Sequence, residues 1–83
     1  MISAKEARAK TDDAIASSVE RAKEHLSHAI ESMSEVGQYK LTFELHYNFG
    51  LDVFRFEEVI SELKDLGYVV QTPNNDTITV SWM

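Results

Sequence analysis

The amino-acid pattern predicts an α+β fold of order α-β-α-β-β: a three-stranded mixed sheet, strand order 1-3-2, packed on one face by a short helix and part of a long N-terminal helix. Three observations predict it. Residues 3–36 run without Gly or Pro behind a helix-start signal. Tyr39–Tyr47 alternates apolar and polar side chains without a break. Gly67 then separates a helical apolar stripe from two strand-like segments that flank Pro73-Asn74-Asn75-Asp76.

In the N-terminal helix, Ser3 followed by Glu6 is a capping-box pattern, so the helix begins at Ala4. It runs to Val36, and Gly37 is a natural residue just past its end. A straight helix of that length spans roughly 50 Å. Thr11-Asp12-Asp13 is a second start signal, which leaves open a separate turn over the first ten residues. The apolar positions Ile15, Val19, Ala22, Leu26, Ala29, Met33 and Val36 are spaced alternately four and three apart, as in a heptad seam, and Ile30 widens it.

Tyr39, Leu41, Phe43, Leu45 and Tyr47 are expected to face the core, with Lys40, Thr42, Glu44 and His46 on the other side of the strand. Asn48-Phe49-Gly50-Leu51-Asp52 reads as a turn ending in an N-cap at Asp52. The second helix runs from there to about Leu66, with Val53, Phe56, Val59, Ile60, Leu63 and Leu66 on one arc. Leu51 and Phe56 hold the positions of a hydrophobic staple. Tyr68–Thr72 and Thr77–Trp82 read as strands joined by Pro73–Asp76, with Tyr68, Val70, Thr72, Ile78, Val80 and Trp82 inward. A right-handed crossover makes the first two strands parallel, and the third lies most simply between them. The chain is expected to be one domain over 1–83, made of a long helix (1–37) and a β-α-β-β unit (38–83).

Composition narrows the function. Eighty-three residues, 43% hydrophobic and 27% charged, can hold one small core without disorder. There is no cysteine, which excludes disulfides, thiolate metal sites and thiol nucleophiles. Met1-Ile2-Ser3-Ala4-Lys5-Glu6 has no apolar signal core, and no stretch has the length of a membrane span, so a cytoplasmic location is expected. The formal charge of −6 is spread over both halves and disfavours nucleic acid and anionic lipid as partners. The strand aromatics Tyr39, Phe43, Tyr47, Tyr68 and Trp82 fall on the core-directed face, which also argues against base stacking.

No catalytic constellation emerges. His25 and His28 lie three apart on the long helix, with Glu24, Glu31 and Ser32 near in sequence, but a solvated helix face explains them better than a metal site. His46 belongs to a polar strand face. Adjacent carboxylates, Asp12-Asp13 and Glu57-Glu58, point about 100° apart on a helix and cannot share one substrate atom. Three glycines, all at helix ends or in a turn, make no phosphate-cradling loop. Neither enzymatic activity nor a cofactor is expected.

Two features point to binding. The long helix outreaches the sheet, since nine strand residues cover only about 30 Å. Its surplus seam either finds a second copy, a dimer before larger assemblies, or folds along the sheet and is buried internally. Val19, Leu26, Ile30 and Met33 are the residues expected to carry self-association. The other feature is Phe54, which lies off the buried arc beside Phe49. The two form a candidate partner patch unless both tuck under the end of the long helix.

The segments Ile2-Ser3-Ala4-Lys5-Glu6-Ala7-Arg8, Leu66-Gly67-Tyr68-Val69-Val70 and Ile78-Thr79-Val80-Ser81-Trp82 resemble small proteins encoded by tailed bacteriophages, which share the helix, strand, helix, hairpin order and end near a tryptophan. The similarity covers both ends of the chain and little between, and it transfers no functional residue. It implies expression in the cytoplasm of an infected bacterium and a role in host takeover or counter-defence. The leading expectation is a non-enzymatic accessory protein that self-associates through its first helix and binds a host protein. The alternatives are an oligomer that sequesters a nucleotide, with Lys40, Arg55 and Lys64 as suspects, and a virion component.

Overall fold

A computed structural model describes the whole chain, residues 1–83. The first helix, α1, covers Ala4–Glu35. Ser3 stands in an extended conformation, and its hydroxyl accepts the Glu6 N–H at 3.1 Å, so the start signal acts as expected. The second signal is absorbed into the helix: the Thr11 hydroxyl donates to the Ala7 carbonyl at 2.9 Å, and α1 is continuous through Thr11. At the far end Gly37 adopts φ 83°. Gln38 N–H then reaches the Met33 carbonyl at 2.8 Å and Gly37 N–H the Ser34 carbonyl at 3.1 Å, the paired bonds of a Schellman ending.

The first strand is shorter than its alternation predicts. Strand β1 covers Lys40–Glu44 and stops because the Glu44 carboxylate accepts the N–H groups of His46 (2.7 Å) and Tyr47 (2.9 Å). That bidentate cap turns the chain into α2, His46–Phe49. Leu45 stays in the core, but Tyr47 is thrown outward, and Tyr39 before the strand is exposed as well. Both tyrosines depart from the inward orientation expected of them.

Asp52 caps the next turn through its side chain, Oδ1 accepting the Arg55 N–H at 2.8 Å. A tight turn over residues 53–56 follows, and the regular helix α3, Glu57–Asp65, begins later than the pattern predicts. Leu51 and Phe56 are both enclosed, as a staple requires, whereas Leu66, past the end of α3, is exposed. Gly67 repeats the ending of α1, with φ 97° and a 3.0 Å bond from Tyr68 N–H to the Leu63 carbonyl.

Strands β2 (Val69–Asn74) and β3 (Thr77–Ser81) complete a sheet of order β1-β3-β2. Both ladders are antiparallel. β1 and β2 run in the same direction but do not touch, so the sheet has no parallel ladder and is not mixed in its pairing. An irregularity between Gln71 and Asn74 carries β2 through Pro73, which leaves Asn75-Asp76 as the turn and Thr72 exposed rather than inward. The hairpin tip is tied back by bonds from Leu45 N–H to the Asp76 carbonyl and from Val53 N–H to the Asn75 carbonyl, both 2.7 Å.

The core forms where helices meet one sheet face. Ala22 and Leu26 of α1 join Leu41, Leu45, Ile78 and Val80 of the β1–β3 side, while Leu51, Phe56, Val59, Ile60 and Leu63 come from the α3 region. Lys40 and Thr42 lie exposed on the opposite face, with Thr77, Thr79 and Ser81 half-buried between the outer strands. The molecule measures 52 × 22 × 19 Å, and its long axis is set by α1, whose 32 residues rise about 48 Å. β1 spans only about 17 Å. Residues Ala4–Ala14 are accordingly exposed, apart from half-buried Ala7. No helix is long and apolar enough to cross a membrane.

Candidate interaction site

Helical spacing places Ala22 and Leu26 one turn apart on the line where α1 rests on the sheet, and both are enclosed. The stripe therefore divides. Of the four residues expected to carry self-association, Leu26 is 1% exposed and committed to the core of its own chain. Val19, Ile30 and Met33 are half-buried, as are Ile15 and Ala29, each packed on the core by one side only. The flanks of the stripe, not its middle, retain apolar surface.

Beside Ile30 that surface opens into a groove between α1 and α3. Lys23 Nζ of α1 lies 2.9 Å from Glu62 Oε2 of α3 and bridges it. The hydrogen bond to Glu62 and the charge of that carboxylate raise the Lys23 pKa above its ordinary value. Leu26, Ile30, Leu63 and Leu66 line the narrow part, about 60 Å³. Ile30, Leu63 and Leu66 continue into a wider part of about 310 Å³ that His28 and Tyr68 border. Exposed Leu66 thus adds to the open flank of α1, a contribution its place on the helical arc conceals.

The two phenylalanines of the expected partner patch part company. Phe49 meets the His25 ring edge-on at 5.3 Å and stacks on Phe43 at 5.7 Å, and Phe43 in turn stacks on Phe56 at 6.4 Å. Phe49 is therefore a half-buried rivet joining α2 to α1. Phe54 is 81% exposed. It borders an open depression of about 520 Å³ with His46, Asp52, Arg55, Asn75 and Asp76. Tyr47 is 89% exposed, and its ring meets that of His46 edge-on at 5.5 Å. The aromatic surface at this end is carried by Phe54 and Tyr47. The sequence signal for Tyr47 was Glu44, an acceptor positioned to cap the turn that begins two residues later.

The His25 ring rests edge-on against Phe49, and no three His, Asp or Glu groups lie close enough to hold a metal ion. Arg55 also borders a depression of about 320 Å³ with Asp12, Ile15, Val19 and Glu58, whereas Lys40 and Lys64 line none of the cavities. The three cations considered for a nucleotide do not converge. No family model matches the chain, and no curated protein or solved structure is significantly similar to it.

Proposed function

We propose that this protein is a non-enzymatic interaction module, an accessory protein of the kind tailed bacteriophages encode, which self-associates through α1 and binds a host macromolecule. The observation that supports this most is the one-sided packing of Val19, Ile30 and Met33: apolar side chains along a helix that its own sheet is too short to cover. Exposed Leu66 extends that surface across the groove. Burying apolar area is worth about 25 cal/mol per Å², so a second helix laid along the flank is a favourable occupant. Leu26 serves this reading indirectly, by anchoring the helix in its own subunit. Phe54 is the residue assigned to the host partner, since with Tyr47 it exposes aromatic surface beside a concavity, and aromatic side chains are enriched among the anchors of binding surfaces.

Sedimentation of the purified chain tests the self-association. The expected result is a concentration-dependent dimer that Ile30→Asp converts to a monomer with an unchanged circular dichroism spectrum. A wild-type chain that stays monomeric at high concentration would remove the α1 reading. Capture from bacterial lysate tests the second part: Phe54→Asp is expected to lose a bound protein that the wild type retains.

A further inference from the structure

We infer that the free edge of β1 is a second self-association surface, and that its occupant is β1 of another copy of the chain, antiparallel to the first about a dyad at Thr42. The inference rests on the sheet and goes beyond the α1 reading.

β3 is bonded on both sides, so β1 and β2 each leave one edge open. The two edges are unlike. β2 carries Pro73, which has no N–H, and an irregularity between Gln71 and Asn74, two of the devices by which proteins blunt a sheet edge. β1 has neither. Its five residues pair with β3 in unbroken register and include no Pro or Gly.

The ladder fixes which backbone groups remain unpaired. Trp82 N–H donates to the Tyr39 carbonyl at 2.9 Å, and Leu45 N–H to the Asp76 carbonyl at 2.7 Å. Antiparallel pairing alternates, so Tyr39, Leu41, Phe43 and Leu45 direct their N–H and C=O groups to β3. Lys40, Thr42 and Glu44 direct theirs to the open edge.

Those three residues form a self-complementary code. With Thr42 opposite Thr42 of a second copy, each Lys40 stands opposite a Glu44, and Leu41 lies opposite Phe43 on the core side. Opposite charges directly across a ladder are favourable and like charges are not. The other registers lack that match: dyads at residues 41 and 43 set Lys40 or Glu44 opposite Thr42 and form no ion pair, and dyads at residues 40 and 44 oppose two lysines or two glutamates. Charge thus selects one register, which joins two sheets into six strands of order β2-β3-β1-β1-β3-β2. Both copies of α1, which pack over β1, then lie on the same side of the joined sheet.

The chain has no cysteine, so one introduced thiol reports the pairing without background. Hydrogen-bonded antiparallel partners have Cα atoms about 5.5 Å apart, inside the range a disulfide bridges. Under mild oxidation Thr42→Cys is expected to form a covalent dimer at least tenfold faster than Thr72→Cys on the guarded β2 edge. Lys40→Glu, which sets carboxylates opposite each other, is expected to slow that cross-linking about tenfold. Equal rates for Thr42→Cys and Thr72→Cys would overturn the inference, as would indifference to Lys40→Glu. Sedimentation of Ile30→Asp keeps the two surfaces apart. A dimer that this change abolishes, with no preferential Thr42→Cys cross-link, leaves α1 association standing and refutes the strand pairing; a preferential Thr42→Cys cross-link that persists in Ile30→Asp supports the strand pairing alone.

Discussion

From Ile15 to Met33, α1 packs on the core and encloses Ala22 and Leu26; from Ala4 to Ala14 it projects with every residue but Ala7 exposed. Both halves have the same backbone conformation, yet they are held by different forces. The packed half is helical because an apolar face is buried. The projecting half has no such face. Its residues are mostly Ala, Lys, Glu and Arg, good helix formers, and Ser3 satisfies one orphan N–H at its start. Glu6 and Lys10, and Arg8 and Asp12, stand four apart on its surface, a spacing worth about 0.2–0.5 kcal/mol per pair. A peptide of that length would be marginally helical in water, because nucleation is costly. Here the packed half supplies the nucleus and the projecting half adds turns to it. One unbroken helix can therefore contain a globally stable segment and a locally stable one.

Substitution at Leu26 gives the largest effect expected from this division. Leu26→Ala removes a side chain enclosed between α1, the sheet and α3, and is expected to cost about 2–5 kcal/mol of global stability in urea denaturation. A loss below about 1 kcal/mol would mean that the middle of the stripe does not anchor the helix. Ala9→Gly sharpens the same contrast from the other side. It is expected to cost about 1 kcal/mol, confined to the first turns. Amide exchange over residues 4–14 would quicken while the urea midpoint held still. A shift of the midpoint would show that the projecting half is coupled to the core.

The same contrast explains how much was legible beforehand. Both ends of α1 could be read because they are set locally, by Ser3 and by Gly37, and the strand order followed from the crossover rule and the short hairpin. Where a side chain competes for backbone groups, the pattern misled. Tyr39–Tyr47 alternates for nine residues, but the Glu44 carboxylate captures two N–H groups and ends the strand at once. Periodicity records which side chains are apolar and is blind to such a capture. The candidate surface suffered in the same way. Phe49 and Phe54 are alike in sequence, and only the folded position of His25 and Phe43 decides that one is a rivet and the other is free. The heptad spacing of α1 was plain, but its division into an enclosed middle and half-open flanks depends on how short the sheet is.

The smallest effect concerns the tie between the packed half of α1 and α3. Lys23 is held protonated more firmly in the folded chain than at its ordinary pKa of 10.5, first by its hydrogen bond to Glu62 and then by the charge of that carboxylate. Because the folded-state value is the higher one, the pair stabilises the fold fully below the unfolded pKa and loses its contribution as pH rises through the folded pKa. Both partners are exposed enough for water and salt to screen the pair, so the contribution is small. Urea midpoints of the wild type and Lys23→Met, followed from about pH 8 upward, are expected to differ most at the lower end and to converge above the lysine range. Added salt is expected to narrow the gap at pH 8. A gap that instead persists at the alkaline end would identify the methylene stem of Lys23, lying along the groove, as what joins the two helices.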